Sequence, residues 1–300
     1  SEDAGHTHAE RRELALNSAN LLETEANEVE LRIDALLSES HLVPTDTDWL
    51  QLPSSGRAEQ TLAEALCNIL HAPSSLPPIL IDKAVQWAQE KAGFGFAEAQ
   101  SKGVSAALAS KVSILTGGPG TGKTTILRSL VSILKAKKTK ILLAAPTGRA
   151  ARRMAESASH FAQTVHRLLK FEPSHGGFTV NDRNPLTCDF LIMDEASMLD
   201  VRLAAALVRA IPPQAHLLLV GDADQLPSVG SGNVLKDLID SALFSVTRLE
   251  VTFRQAETSG IVGLAHGILA GKGSPPTPVD SPDEIDPLHD VHFVRAVTPE

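Results

Sequence analysis

Four short apolar runs punctuate the middle of the chain: Val112-Ser-Ile-Leu-Thr116, Ile141-Leu-Leu-Ala-Ala145, Phe190-Leu-Ile-Met193 and Leu217-Leu-Leu-Val220. Each is too short for a helix and almost wholly apolar, as parallel strands covered on both faces must be. Helical stretches follow them, one from a glycine loop through Leu134 and one bearing Arg152 and Arg153. Repeated strand–helix units from about Ile79 predict an α/β fold with a doubly wound parallel sheet. Residues 1–75 follow a different pattern. Val29, Leu31, Ile33, Leu36 and Leu37 lie on a helical run, followed by a turn at Pro44–Asp48 and the apolar Trp49-Leu50-Gln51-Leu52. A second helix carries Leu62, Leu66, Ile69 and Leu70 at three- and four-residue spacing. Helix, ribbon, helix predicts a small winged-helix-like module over 1–75, joined by the Pro/Ser-rich Ala72–Pro78 to a larger domain over 76–270. Within that domain the polar Phe171–Thr187 has room for an inserted hairpin, and the Pro/Asp-rich 271–300 reads as a connection to a further domain.

Composition changes this picture only locally. The formal net charge is −9, which by itself counts against a nucleic-acid partner. Between Lys123 and Lys170, however, eleven Lys or Arg residues face one acid, Glu156, so this segment carries +10 and the remainder −19. A basic stretch in an acidic protein marks either a phosphate-binding face or a set of solvated helix surfaces, and charge alone does not choose. Cys67 and Cys188 are far apart with no CxxC spacing, which gives no disulfide or zinc framework, and His6 and His8 beside a polar terminus are assigned nothing. No apolar run is long enough to cross a bilayer, so the reading is a cytoplasmic protein without a membrane partner. The chain begins at Ser1 rather than methionine and reads as part of a longer protein.

The chemistry is concentrated at strand ends. Gly117-Gly118-Pro119-Gly120-Thr121-Gly122-Lys123-Thr124 matches G-x-x-x-x-G-K-[ST] between a predicted strand and a helix that opens with Thr125. The glycines let backbone N–H groups turn toward phosphate oxygens at a helix N-terminus. Lys123 can reach the β- and γ-phosphates of ATP, and the Thr124 hydroxyl can ligate Mg²⁺. A dinucleotide fingerprint has no role for a Lys-Thr pair at this place. Asp194 and Glu195 follow the Phe190–Met193 strand, where the first acid is placed to hold Mg²⁺ and the second to orient and deprotonate water. Gln225, in Gly221-Asp-Ala-Asp-Gln225 after the fourth strand, can bond a γ-phosphate and register its loss.

Together with Ala145-Pro-Thr-Gly-Arg-Ala-Ala151, Thr164-Val-His-Arg-Leu-Leu169, Asp194-Glu-Ala-Ser-Met198, Gly221–Val229 and Phe253-Arg-Gln255, these motifs resemble the superfamily 1 helicases, and within them the RecD-like branch that moves 5′→3′ on single-stranded DNA. The resemblance runs over roughly residues 28–270. It implies a P-loop NTPase of RecA-like fold, in which Gln100 contacts adenine and Arg254 contacts the γ-phosphate. It implies that Pro146, Thr147, Gly148 and Arg149, with Thr164 and His166, grip a DNA backbone, and that 171–187 forms a strand-separating pin. Arg152, Arg153 and Arg167 share the basic stretch with them, as sequence-independent phosphate contacts would. The implied partners are single-stranded DNA, duplex junctions and other subunits of a helicase–nuclease complex, in repair or recombination.

The chain departs from the superfamily at two points. Leu226–Leu235 holds no aromatic residue to stack on bases, and the chain has no tyrosine, which predicts that backbone grip dominates. The late Thr-Arg-Ala-type motif of a second motor domain does not occur before Glu300, so the reading is of one motor domain out of two, inactive in unwinding by itself. Two other classes compete with a helicase. One is a DNA-binding ATPase subunit that remodels or regulates without unwinding. The other is a small-molecule P-loop kinase, which would lack the Asp194–Glu195 pair and the Thr164–Arg167 loop.

Overall fold

A computed structural model describes residues 5–249 except Thr47 and His175, together with a few short stretches between 264 and 294. Two units with separate cores make up the described part. The smaller one opens with β1 (His8–Glu10), α1 (Arg11–Leu22) and α2 (Ala26–Ser38), then β2 (Val43–Asp46) and β3 (Trp49–Gln51). These strands form an antiparallel sheet in the order β1-β3-β2, and its core is Ala15, Ala19, Val29, Ile33 and Leu50. Arg11 ties the two helices together through Glu30 and Asp34, at 2.8 and 2.7 Å. β1 is too short and polar to stand out in the sequence. Pairing with β3 makes it a strand.

The next helix, α3 (Pro53–His71), packs elsewhere. Its apolar stripe, Leu62, Leu66 and Ile69, is buried in the same cluster as Val201, Leu207 and Val208 of the larger unit. A domain boundary at residue 75 would therefore cut α3 from the core that buries it, because helical periodicity marks a face for burial without naming its partner.

The larger unit continues with α4 (Ile81–Ala92), α5 (Glu98–Ala109), β4 (Val112–Gly117), α6 (Lys123–Ala136), β5 (Ile141–Ala145) and α7 (Gly148–Ala158). After these come β6 (Ala162–Thr164), α8 (Val165–Leu168), β7 (Phe171–Glu172), β8 (Gly177–Phe178), β9 (Phe190–Met193), α9 (Val201–Arg209), β10 (His216–Gly221), α10 (Val234–Asp240) and β11 (Ser245–Leu249). Six strands form one parallel sheet in the order β11-β4-β10-β9-β5-β6. Alternate residues of each central strand enter opposite cores. Leu191, Met193, Leu217 and Leu219 pack with α3 and α9, and Phe190, Ile192, Leu218 and Val220 pack with α5 and α6. Burial on both faces is why those strands read as unbroken apolar runs. The edge strands β6 and β11 carry Gln163, Thr247 and Arg248, lack that signature, and were not expected as strands.

The Phe171–Thr187 insertion contains the antiparallel pair β7–β8. Of the 271–300 tail only Gly271 and the two-residue strands β12 (Pro278–Val279) and β13 (Phe293–Val294) are described. No described helix is long and apolar enough to cross a membrane.

Candidate functional site

Strand register sets what meets at the carboxyl edge of the sheet. Thr116 pairs with Gly221, Met193 with both Leu219 and Ala144, and Ala145 with Thr164. The segments leaving β4, β10, β9, β5 and β6 therefore emerge side by side at the ~4.8 Å spacing of neighbouring strands. Ligands of open α/β sheets bind at this edge.

Gly117–Gly122 turns tightly between β4 and α6. A Cβ on Gly117 would lie 2.6 Å from the Leu249 carbonyl oxygen, so only glycine fits against β11. Gly122 sits at φ 91°, left-handed, and starts the helix directly at Lys123. Thr121 is buried, its hydroxyl donating to the Gly118 carbonyl at 2.9 Å. Pro119, Gly120 and Thr124 are exposed, and Thr125 is half-buried with its N–H bonded to the Gly122 carbonyl. The Lys123 ammonium donates to the carbonyls of Gly117 and Gly118, the latter at 2.9 Å. Burial pushes its pKa down, opposed by the charges of Asp222, Glu195 and Asp194 in that order. Lys123 is thus a part-buried cation within the fields of three acids, and such fields are screened less there than in water.

Asp194 is pushed above the usual carboxylate range, chiefly by burial. The Glu195 N–H, donating to Asp194 Oδ1 at 3.0 Å, and the more distant Lys123 and Arg153 charges work against that rise. Glu195 adopts φ 54°, ψ 42°, the left-handed conformation that costs a side-chain-bearing residue about 1–2 kcal/mol. Backbone strain of this kind gathers at functional sites. Among the described residues no group of three or more His, Cys, Asp or Glu could hold a metal by itself. The Thr124 hydroxyl and the Asp194 carboxylate are hard oxygen donors, with the Asp222 and Glu195 carboxylates also acting on Lys123. Magnesium fits such a sparse set, because it keeps several waters and takes its remaining ligands from substrate phosphates.

Gln100 is buried on α5. Its Oε1 accepts from the Ala97 N–H at 3.0 Å, leaving the amide nitrogen as donor. It lines a cleft of 850 Å³ with Thr121 and Ser245–Leu249, alongside the phosphate loop. Gln225 follows β10 on an exposed loop, its N–H bonded to the Asp222 carbonyl at 3.3 Å. Arg254 lies outside the described residues. Asp222 was missed as a site residue. It is buried, and it is the acid with the strongest pull on Lys123. The rule that singled out Asp194, an acid next after an apolar strand, applies one residue beyond Gly221 as well.

The second half of the edge is exposed and basic. Thr147 caps α7, accepting from the Ala150 N–H at 3.2 Å, and Thr164 caps α8, accepting from the Arg167 N–H at 3.3 Å. Pro146 is half-buried, whereas Gly148, Arg149, Arg153 and Arg167 are exposed. Arg152 pairs with Glu156 at 3.1 Å across one helical turn. The Ala145–Thr164 pairing brings Pro146–Arg149 and Thr164–Arg167 together. Exposed His166 packs against Phe171 and Phe178 of the hairpin, with centroids 5.7 and 5.6 Å away.

Residues 100–231 match the family model of the AAA domain, AAA_19. The ATP-dependent RecD2 DNA helicase of Deinococcus radiodurans is 37% identical over 239 residues, 80% of this chain and 32% of that protein. The RecBCD enzyme subunit RecD of Mycobacterium tuberculosis is 38% identical over 204 residues, 60% of this chain and 35% of that protein. Among solved structures, the Pif1 helicase from Candida albicans aligns at 23% identity over 58% of this chain and 42% of that one, with a TM-score of 0.42. The chain spans about a third of the length of these curated relatives. In its motifs and in sequence identity the chain is similar to the RecD and RecD2 DNA helicases over about a third of their length.

Proposed function

We propose that this chain is the nucleotide-binding motor domain of an ATP-dependent DNA helicase that moves 5′→3′ on single-stranded DNA. The observation that carries the reading is Lys123, set among Asp222, Glu195 and Asp194 at the sheet edge that also carries the exposed basic loops of β5 and β6. Lys123 and the N–H groups of Gly117, Gly118 and Gly120–Thr124, in the Gly117–Thr125 segment, would hold the phosphates of ATP, with Gln100 at the adenine and Gln225 and Arg254 at the γ-phosphate. Thr124 and Asp194 would hold Mg²⁺, which supplies neutralising charge at the phosphate oxygens. Glu195 would take a proton from the water that displaces ADP from the γ-phosphoryl group. Arg149, Arg152, Arg153 and Arg167, with Pro146–Gly148, Thr164 and His166, would hold the strand by its phosphates. The relatives' names, an ATP-dependent DNA helicase and a subunit of the RecBCD enzyme, support the helicase reading and a place beside other subunits; a helicase–nuclease complex acting in DNA repair or recombination, in the cytoplasm, is the setting we infer. A winged-helix-like module over the first residues, a strand-separating pin at 171–187 and a second motor domain beyond 271–300 complete the proposal.

The test is Glu195→Gln in a form extended to the relatives' length. It keeps the shape of the side chain and removes the base. We expect ATP binding to be retained and DNA-stimulated turnover to fall roughly 10²–10⁴-fold. Undiminished turnover would leave Glu195 a structural acid and remove the hydrolytic assignment.

A further inference from the structure

We propose that His166, Phe171 and Phe178 form a seat for one unpaired nucleobase, which deepens and rests on the single-stranded DNA reading above. The three rings make a closed cluster. Phe171 and Phe178 lie 5.3 Å apart at 62°, His166 and Phe171 5.7 Å at 76°, and His166 and Phe178 5.6 Å at 56°. An edge-to-face contact uses the rim of one ring and leaves that ring's faces open to a further stack. Phe171 is 42% exposed and His166 is also exposed, so the cluster is not an interior core.

Core packing accounts for Phe178, which is half-buried against the main core, but not for the exposed Phe171 and His166 of the cluster. The hairpin is already anchored without it: Val180 and Leu186 are buried in the main core, the Val180 N–H donates to the Leu169 carbonyl at 3.1 Å, and the Leu186 N–H donates to the Ala210 carbonyl at 2.8 Å. Asp182 pairs with Arg209 at 3.3 Å, tying the same segment to α9. Phe171 and Phe178 pair at the base of the β7–β8 ribbon, directly after the Thr164–Arg167 loop, with exposed Arg167 and Lys170 beside them in sequence. Aromatic faces flanked by cations are the combination that holds single-stranded nucleic acid, the cations following the phosphates while a base lies on a ring.

Stacking and phosphate contact separate experimentally, because only the second responds to salt through counterion release. The chain is titrated with an oligothymidylate and with an abasic oligomer of the same length, each at several salt concentrations. Phe171→Ala is expected to weaken oligothymidylate binding about 5- to 150-fold. Abasic binding and the salt slope of both titrations should stay unchanged. Phe171→Leu, which retains apolar packing, should lose comparable affinity and is the fallback if the alanine variant misfolds. Equal losses on both polymers would make the cluster a structural support of the phosphate grip, and full affinity in Phe171→Leu would reduce it to packing. Either result overturns the seat and leaves the motor reading standing. Failure of the unsubstituted chain to bind either polymer removes both.

Discussion

The two halves of the sheet edge are built on opposite plans. Around β4, β10 and β9 the charged groups are buried or part-buried and held by backbone: Lys123 on two carbonyls, Asp194 on an N–H, Glu195 in a strained conformation. Around β5 and β6 they are exposed arginines on helix starts whose caps are threonines. Bond-breaking at phosphorus needs charges fixed in advance in a shielded place. A strand held without regard to sequence needs only reachable cations, and rigidity there would hinder movement. On the proposed reading one sheet supports both, since register rather than loop design places the two halves side by side.

Lys123→Ala should expose this contrast most strongly. It removes the cation that sits on the Gly117 and Gly118 carbonyls within the fields of three acids, so ATP binding by calorimetry and turnover should both fall below detection while circular dichroism stays unchanged. Wild-type affinity in the variant would mean that the buried half is not a nucleotide site.

A smaller effect is expected at the opposite edge of the sheet. His216 stacks on Phe190, donates from Nδ1 to the Ser110 carbonyl at 2.9 Å and accepts at Nε2 from Ser74 at 2.7 Å, and burial pushes its pKa down to about 4. The unfolded chain binds this proton near the usual pH 6.5 and the folded chain only near 4. Its contribution is therefore full above pH 6.5 and is lost as pH falls toward 4. Chemical denaturation between pH 7 and 4 should show a shallower decline in His216→Gln than in the wild type. Identical slopes would show that this imidazole is not held neutral. Burial alone would then not distinguish the site half from the rest of the interior.

The smallest change belongs to the exposed half. Arg149→Ala should reduce the salt slope of single-strand binding by about 0.7, one phosphate contact, with turnover in the absence of DNA unaffected. An unchanged slope would move the strand's path off α7.

Much of this contrast was legible in the sequence because the buried half obeys strict rules. Gly117–Thr124 admits few other readings, and the all-apolar β9 points straight at Asp194. The exposed half was legible only as charge and as a family likeness, since exposed arginines impose no periodicity. Asp222 escaped because Gly221-Asp-Ala-Asp also satisfies a polar turn, and only burial beside Lys123 separates the two. The aromatic cluster escaped for a different reason. His166, Phe171 and Phe178 are spaced too irregularly to share a helix or strand face, and only the hairpin folds them together.

The five-residue core of the N-terminal unit also bears on how the chain folds. Two of those residues are alanines, and a unit of that size buries too little apolar surface to be stable unaided. It leans on its neighbour, where the Gly232 N–H donates to the Gly5 carbonyl at 2.9 Å. Made before the sheet that it leans on, this unit is expected to consolidate only once that sheet has formed, so that translation and consolidation run in opposite order across the two.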